Sequence, residues 1–472
     1  MRPILPLATS QLTPFIASRI GGIPAGRGYF PRSLPLLYLT ICVPTILFLI
    51  FFRQPLGSPD ELSHASRAYQ LSRGVVLTEE AQPGLHPKGM VDDGLFMLGG
   101  QVGRRRFESL RTALPIFQKY GWTGKEDLRR FNSSVYFPVP FIPQAIAFKI
   151  ARELKIPLVQ SLQLASFLNA MVCLAIIAFA IHIAAEGKYL IAFIGTLPMT
   201  LHQMASPSPD GMIIAASLLM AALAIAAVIR SKVTPSALIG VVATGALVAA
   251  TKLPYLPLSL AALFALWLME PRSFRTIGKY ATAVTVMIAV PLLWIEVSNA
   301  STVNHSPRFE TDPATQIAFL LSHPLDLPGL ALSTFATYGK AYLMQVIGVL
   351  GWLDAPLPRA AFTTLCAGLI ATLVLDGVSA KPMLRWTFLA AITASAGLIL
   401  LSLYLTWNPL YSLEPVRGIQ GRYFLPLLPF LAFLVPKLGR LDADGLKLWL
   451  FTVCGLIGQF ATMAAIMRRY YL

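Results

Sequence analysis

The stretch Leu34–Phe52, LPLLYLTICVPTILFLIFF, holds no charged side chain. A hydrocarbon core about 30 Å thick takes about 20 apolar residues of helix, so this run is long enough to span a membrane. Comparable runs follow near 159–184, 188–205, 211–230, 236–251, 254–270 and 279–297, and again near 359–377, 386–406, 422–436 and 445–467. Composition agrees with this reading. The chain has 472 residues, 56% of them hydrophobic and only 13% charged, with a mean hydropathy of +0.65. Soluble domains carry about 25% charged residues, and spreading so few over soluble surfaces would leave large apolar patches in water. The chain therefore reads as an all-α polytopic membrane protein with about 11 to 12 transmembrane helices.

Charge is unevenly placed. There are 38 basic and 22 acidic residues, a formal net charge of +16. Retention of Lys and Arg in cytoplasmic loops accounts for most of that excess, so nucleic acid is not expected as a partner. Arg2, Arg19, Arg27 and Arg32 precede the first run, and no small-residue cleavage site follows it. Residues 1–33 thus read as a cytoplasmic tail ahead of an uncleaved signal anchor, and 34–472 as one transmembrane domain. Alternation then puts 53–158 and 298–358 outside as long loops. Lys188, Arg230 with Lys232, Arg272, Arg275 with Lys279, Lys381 with Arg385, and Lys437, Arg440 with Lys447 fall in the cytoplasm. Lys252, Arg308, Lys340, Arg359, Arg417 and Arg422 fall outside. Arg468 and Arg469 go against this register, and 327–350, with Pro324, Pro328 and Lys340 in or beside it, reads as a helix at the external interface. Cys42, Cys173, Cys366 and Cys454 all sit in apolar runs without metal-ligand spacing.

The scarce acids mark the outer face. Asp60 and Glu61 follow the first span in Ser58-Pro59-Asp60-Glu61-Leu62-Ser63-His64, and Asp210 precedes a span in Ser206-Pro207-Ser208-Pro209-Asp210-Gly211. Two independent turns bring carboxylates to one side, where paired acids serve as a general base, a metal ligand, or both. A capping role for Asp210 and simple solvation of Asp60 at a helix start are the plainer alternatives. His64 lies four residues after Asp60 and shares a helical face with it, as a site residue or as a polar interface residue. Lys252, in Thr251-Lys252-Leu253-Pro254-Tyr255, has no acidic neighbour in sequence and either joins the site or snorkels. Arg417 and Arg422 flank Gly418-Ile419-Gln420-Gly421 beside Tyr423. Their planar forks suit a phosphate, a lipid head group, or, for pairing, Glu414. A divalent cation remains open, since no zinc-ligand pattern is present.

The order Ser58-Pro59-Asp60-Glu61…His64…Arg67-Ala68-Tyr69-Gln70, then Tyr136…Pro138…Pro143-Gln144-Ala145, Leu197-Pro198-Met199…Pro209-Asp210, Lys252-Leu253-Pro254-Tyr255, Gly351-Trp352-Leu353-Asp354 and Gln420-Gly421-Arg422-Tyr423-Phe424-Leu425-Pro426 resembles a large family of uncharacterised bacterial membrane proteins, a domain of unknown function. Its architecture is similar to the GT-C superfamily of polyprenyl-phosphate-dependent glycosyltransferases, which includes protein mannosyltransferases and the lipid A aminoarabinose transferase. The resemblance implies an external active site in a bacterial inner membrane, with Asp60 and Glu61 as the first-loop acidic motif and Asp210 as the second acid. It implies a juxtamembrane helix at Tyr136–Ile150. Substrate contacts would come from His64, Arg67, Tyr69, Lys252, Tyr255, Asp354, Arg417, Gln420, Arg422 and Tyr423. The partners implied are a polyprenyl-phosphate-linked sugar donor, a glycan or lipid acceptor, and membrane lipids, in cell-envelope glycan assembly. The chain departs from that superfamily in having no large C-terminal soluble domain and no histidine set for a metal.

The expected chemistry is inverting transfer. Asp60 takes the proton of an acceptor hydroxyl, Arg422 with Lys252 or Arg417 stabilises the leaving phosphate, and Glu61 and Asp210 orient the acceptor or hold a cation. A flippase that moves the lipid-linked sugar without bond cleavage is the reading from another class. It fits less well, because no internal repeat is found and the charges gather at one face rather than at mid-membrane. A polysaccharide polymerase or ligase shares the substrate and stays open.

Overall fold

In the computed structural model, which describes residues 30–78, 87–298, 311–436 and 443–472, the apolar runs are helical. The tail read at 1–33 lies outside the described residues except for the opening turn of the first helix, as do Arg308, Lys437 and Arg440. Two units partition the chain, Met1–Leu34 and Pro35–Leu472, and the second holds the first helix from Pro35 and every later element.

Helix α1 (Phe30–Phe52) is followed by α2 (Glu61–Ser72). The loop after it is folded. Strand β1 (Lys88–Asp92) leads into α3 (Asp93–Arg104) and α4 (Leu110–Phe117), and β2 (Glu126–Arg130) returns antiparallel to β1 in the register Lys88 to Arg130 through Asp92 to Glu126. Asp92 ties this fold down. Its carboxylate accepts the N–H groups of Gly94, Thr123 and Gly124 at 2.8, 3.1 and 2.9 Å. The surface helix expected at Tyr136–Ile150 begins later than expected. Pro138 and Pro140 keep the chain in a short 3-10 turn, Val139–Phe141, before α5 (Ile142–Glu153).

Helices α6 (Leu158–Ile183), α7 (Lys188–Thr196), α8 (Pro198–Met204), α9 (Asp210–Arg230), α10 (Pro235–Thr251) and α11 (Leu256–Trp267) come next. After them lie α12 (Phe274–Val297), α13 (Pro313–Ser322), α14 (Asp326–Gly348), the two-residue strands β3 (Val349–Leu350) and β4 (Ala355–Pro356), α15 (Arg359–Leu375) and α16 (Pro382–Trp407). A 3-10 segment, Gly421–Phe433, and α17 (Asp444–Tyr470) close the chain. Among the described residues six helices are long and apolar enough to cross a membrane: α1 from Leu34, α6, α9, α12, α16 and α17. Four shorter apolar helical segments accompany them. The architecture is that of an all-α polytopic membrane protein.

Two expected continuous spans are not single α-helices. The run 188–205 breaks between α7 and α8, because Pro198 cannot donate to the helix and Leu197 takes an extended ψ of 135° before it. The run 422–436 is the 3-10 segment, interrupted by Pro426 and Pro429. The helix expected at 327–350 is present as α14 and starts at Asp326.

Helix α9 is the most enclosed span, with 83% of its apolar window buried, against 22% for α12. Sequence explains the contrast. Ala215, Ala216, Ala221, Ala222, Ala224, Ala226 and Ala227 let α6, α10 and α11 approach the α9 backbone closely, and dispersion contacts hold helices together where lipid supplies no hydrophobic drive. The C-terminal end of α9 is tied to α6: Arg230 donates to the carbonyl of Ile183 at 3.2 Å. On the α6–α7 side, Asp376 accepts the N–H groups of Tyr189 and Leu190 at 2.8 and 3.1 Å and pairs with Lys447 at 3.2 Å. Asp376 is buried, and desolvation raises its pKa against the pull of Lys447.

Candidate functional site

The opposite end of α9 starts at Asp210, and the chain before it is held from two other elements. Asn169 of α6 donates to the carbonyls of Met204 and Ser206 at 3.1 and 2.9 Å, and Gln144 of α5 donates to that of Ser208 at 3.2 Å. Pro209 holds the cap position of α9 without a side-chain cap, and the Asp210 carboxylate beside it faces two cations. Lys252, just past α10, donates to its Oδ1 at 2.6 Å, and Arg422 Nε lies 3.3 Å from its Oδ2.

Arg422 also reaches across to the turn after α1. Its Nη2 donates to Asp60 Oδ2 at 2.6 Å, and its Nη1 donates to the Pro59 carbonyl at 3.2 Å. Asp60 sits in the left-handed region, at φ 64° and ψ 4°, where a short polar side chain is tolerated. Non-glycine residues held there cluster at functional sites. Arg422 is almost fully enclosed, with its side chain 2% exposed, and a buried cation persists only when paired. Here two carboxylates pair it. The Asp60 side chain is 47% exposed. Asp60, Asp210, Lys252 and Arg422 form one formally neutral cluster. The aromatic side chains support it: Lys252 lies 4.5 Å and Arg422 5.4 Å from the Tyr423 ring, and Tyr255 donates its hydroxyl proton to the Tyr423 carbonyl at 2.8 Å.

This cluster borders a cavity of about 620 Å³. Asp60, His64, Lys252, Gln420, Arg422 and Tyr423 line its polar part. Trp294 and Ile295 of α12, with Ile399, Leu403 and Trp407 of α16, line an apolar part. His64 is buried between Tyr136 and Phe141, with ring centroids 5.9 Å away in each case. Burial pushes its pKa down to about 4, partly offset by Asp210 and Asp60, so the imidazole is neutral at ordinary pH. Its Nδ1 has no hydrogen-bond partner among the described residues.

Other residues singled out in the sequence lie elsewhere. Glu61 faces away from the cavity and is 2% exposed. It binds Arg53 through both oxygens, at 2.5 and 2.9 Å, and accepts the Ser58 N–H at 2.8 Å. Arg67 donates to the carbonyls of Tyr136 and Val76 at 2.9 and 2.8 Å, and burial lowers its pKa to about 10. Tyr69 donates to Glu126 at 2.5 Å and borders a different cavity. Asp354 pairs with Arg469 at 3.0 Å and Arg106 at 3.4 Å. Arg417 is exposed and pairs with Glu414 at 2.6 Å. Thus seven of the residues read from sequence border the cavity or its ion cluster from the polar side, Tyr255 does so beside Tyr423, four hold the surrounding fold, and Arg417 makes only an exposed ion pair.

Arg468 and Arg469, which went against the register of basic loops, sit at this same end. Arg469 donates to Asp354 and to the Arg106 carbonyl, and Arg468 to the Pro356 carbonyl. Trp352, two residues before Asp354, lines the cavity and donates its indole N–H to the Leu56 carbonyl at 3.0 Å. These arginines are fastened by local partners, which a loop-charge bias does not capture.

Sequence reasoning passed over Arg53, Asn169, Gln203 and His202. Gln203 accepts from Arg422 at 3.5 Å, and His202 accepts the Gly351 N–H at 3.1 Å. The signal available for Asn169 was an amide alone in an apolar span, where an unpaired polar group is costly. Among the described residues no group of three or more His, Cys, Asp or Glu side chains is arranged to hold a metal ion.

A family model described as "Predicted membrane protein (DUF2142)" matches residues 45–431, more than half of the chain. No curated protein and no solved structure matches it.

Proposed function

We propose, for a chain that belongs to the DUF2142 family of predicted membrane proteins, a membrane glycosyltransferase that moves a sugar from a polyprenyl-phosphate donor to an acceptor hydroxyl. The observation that carries this reading is the half-exposed Asp60 carboxylate, bound to buried Arg422 at 2.6 Å where a cavity turns from polar to apolar. A lipid-linked sugar phosphate has that same division, with an anionic head on an apolar tail. The cavity's apolar side, between α12 and α16, suits the tail.

In this reading the donor phosphate takes donors of Arg422 and Lys252, displacing Asp60 from the guanidinium. The cluster is formally neutral, so an arriving anion exchanges for a carboxylate rather than adding to unbalanced positive charge. Asp60 then accepts the proton of the acceptor hydroxyl. The acceptor oxygen forms the new bond to the anomeric carbon from the opposite face. The anomeric carbon–phosphate oxygen bond breaks, and polyprenyl phosphate leaves with the electron pair, its charge met by Arg422 and Lys252. General-base help of this kind contributes about 10²- to 10⁴-fold. Asp210 keeps both cations in place. The reading includes a bacterial inner membrane, a cytoplasmic N-terminus and an external site, in cell-envelope glycan assembly.

The test uses membranes carrying the full chain and a polyprenyl-phosphate-linked sugar. Wild-type membranes should release polyprenyl phosphate, and Asp60→Asn at equal protein level should slow release by at least about 100-fold. Undiminished release by Asp60→Asn removes the base assignment. Passage of intact donor across vesicles without release of polyprenyl phosphate replaces transfer with transport.

A further inference from the structure

A second cavity, of about 520 Å³, shares no lining residue with the first. Its cations are Arg73, Arg152 and Lys155, and its carboxylates are Asp92 and Glu126. The carboxylates are spent on the protein itself: Asp92 on the N–H groups that close the loop, Glu126 on the Tyr69 hydroxyl and on Arg73 at 2.8 Å. Arg152 and Lys155 have no carboxylate partner among the described residues. Arg152 is nonetheless fixed. Its guanidinium lies 5.3 Å from the Tyr69 ring, which stacks on Trp122 at 5.5 Å, and the indole N–H is anchored to Ser161 at 3.0 Å. A rigid guanidinium and an unpaired ammonium beside an open volume suit an anion.

The position identifies which anion. Lys155, Ile156 and Pro157 line the cavity and directly precede Leu158, the first residue of membrane-spanning helix α6. The adjoining helix α5 leaves Ile142, Ile146 and Ile150 exposed at 48%, 49% and 38%, and Leu154, its C-cap, is exposed at 69%. Their spacing of four makes one apolar stripe running toward the cavity. Such a stripe is favourable against acyl chains and unfavourable in water.

We propose that this cavity holds the phosphate headgroup of an anionic phospholipid, with Arg152 and Lys155 on the phosphate and the acyl chains along the α5 stripe. The site is separate from the transferase reading and stands whether or not that reading does. It accounts for the placement of Tyr69 away from the first cavity: its ring positions Arg152.

The experiment is native mass spectrometry of the full chain in detergent, loaded with an equimolar mixture of phosphatidylglycerol and phosphatidylcholine. Wild type should retain phosphatidylglycerol preferentially. Lys155→Gln and Arg152→Gln should each weaken that retention about fivefold, and Arg111→Gln, exposed on α4 and part of neither the cavity lining nor the α5 stripe, should not. Inorganic phosphate at millimolar concentration should fail to displace the lipid. Arg152 helps hold the Tyr69 stack, so if Arg152→Gln fails to fold, Lys155→Gln alone decides. Equal retention of both lipids, unchanged retention by Lys155→Gln, or displacement by inorganic phosphate alone would each overturn the proposal, the last in favour of a free-phosphate site.

Discussion

Arg422 Nη2 lies 2.6 Å from Asp60 Oδ2, although 362 positions of sequence separate the two residues. The pair is asymmetric: the guanidinium is enclosed while the carboxylate is half in solvent. Asp210, the other carboxylate on Arg422, is 6% exposed and also carries Lys252. Losing Asp60 removes a half-exposed partner, whereas losing Asp210 leaves Lys252 without its carboxylate and buried Arg422 with Asp60 alone.

Asp60→Asn should therefore cost less than about 1 kcal/mol of stability, in the range of solvent-exposed ion pairs. Asp210→Asn should cost about 3–5 kcal/mol, in the range of broken buried pairs. Thermal unfolding of the two variants in the same detergent measures the contrast. Equal losses would mean that Asp60 is structural and Arg422 depends on it. The separation matters for function, because a variant that folds normally and fails in turnover isolates chemistry from folding.

Much of this arrangement was legible in the sequence, for a physical reason. Charges are expensive in a membrane, so the apolar runs and the few acids between them define both the spans and the end where chemistry is possible. Direction was not legible. Asp60 and Glu61 are adjacent, and only the left-handed backbone at Asp60 sends one to the cavity and the other to Arg53. Arg53 reads as an ordinary flanking base of a span, because its partner is set by a turn rather than by helical spacing. Pro198 announced the break between α7 and α8, yet the run around it is apolar enough to read as one span. Asp354 stood among motif residues, but its partners Arg106 and Arg469 come from distant segments with no shared pattern.

The Glu61–Arg53 pair is predicted to be structural. Both side chains are below 5% exposed, and Arg53 also donates to the Ala205 carbonyl at 3.1 Å, joining the turn after α1 to the chain before α9. Glu61→Gln should lower stability by about 3–5 kcal/mol, because it leaves a buried guanidinium without its countercharge. The double variant Arg53→Met with Glu61→Leu should recover most of that loss, since apolar replacement of both partners removes the stranded charge. Folded yield and thermal midpoint report the outcome. A double variant as unstable as the single would show that the hydrogen bonds to Ser58 and Ala205, and not the charges, hold the turn.

His64 supplies a pH dependence with a definite sign. Burial holds its folded pKa near 4, below the ordinary 6.5, so the unfolded chain takes up the proton first. The stability tied to neutral His64 is complete above about pH 6.5 and is lost as pH falls toward about 4. One differential proton changes stability by about 1.4 kcal/mol per pH unit. Relative to His64→Gln, wild type should lose thermal stability across that window and run parallel to it above pH 7. Parallel profiles throughout would show that His64 takes up its proton at the same pH in the folded chain as in the unfolded one.

The last prediction concerns Asp354, which two cations share from α17 and from the segment after α3. Its carboxylate is 18% exposed, Arg469 is 14% and Arg106 is 31%, so the cluster is largely but not fully enclosed. Either arginine alone still satisfies the carboxylate, and each of Arg106→Gln and Arg469→Gln should cost about 1 kcal/mol or less. Together they leave a partly buried carboxylate unpaired, so the double variant should lose about 1 kcal/mol more than the sum. The backbone N–H of Trp352 also donates to Asp354 at 3.0 Å, and Trp352 lines the first cavity. The excess loss should accordingly come with a change in ligand affinity at that cavity, while either single variant leaves affinity unchanged. Additive losses with unaltered affinity would mean that solvent already screens Asp354 and that the C-terminal arginines do not position the cavity wall.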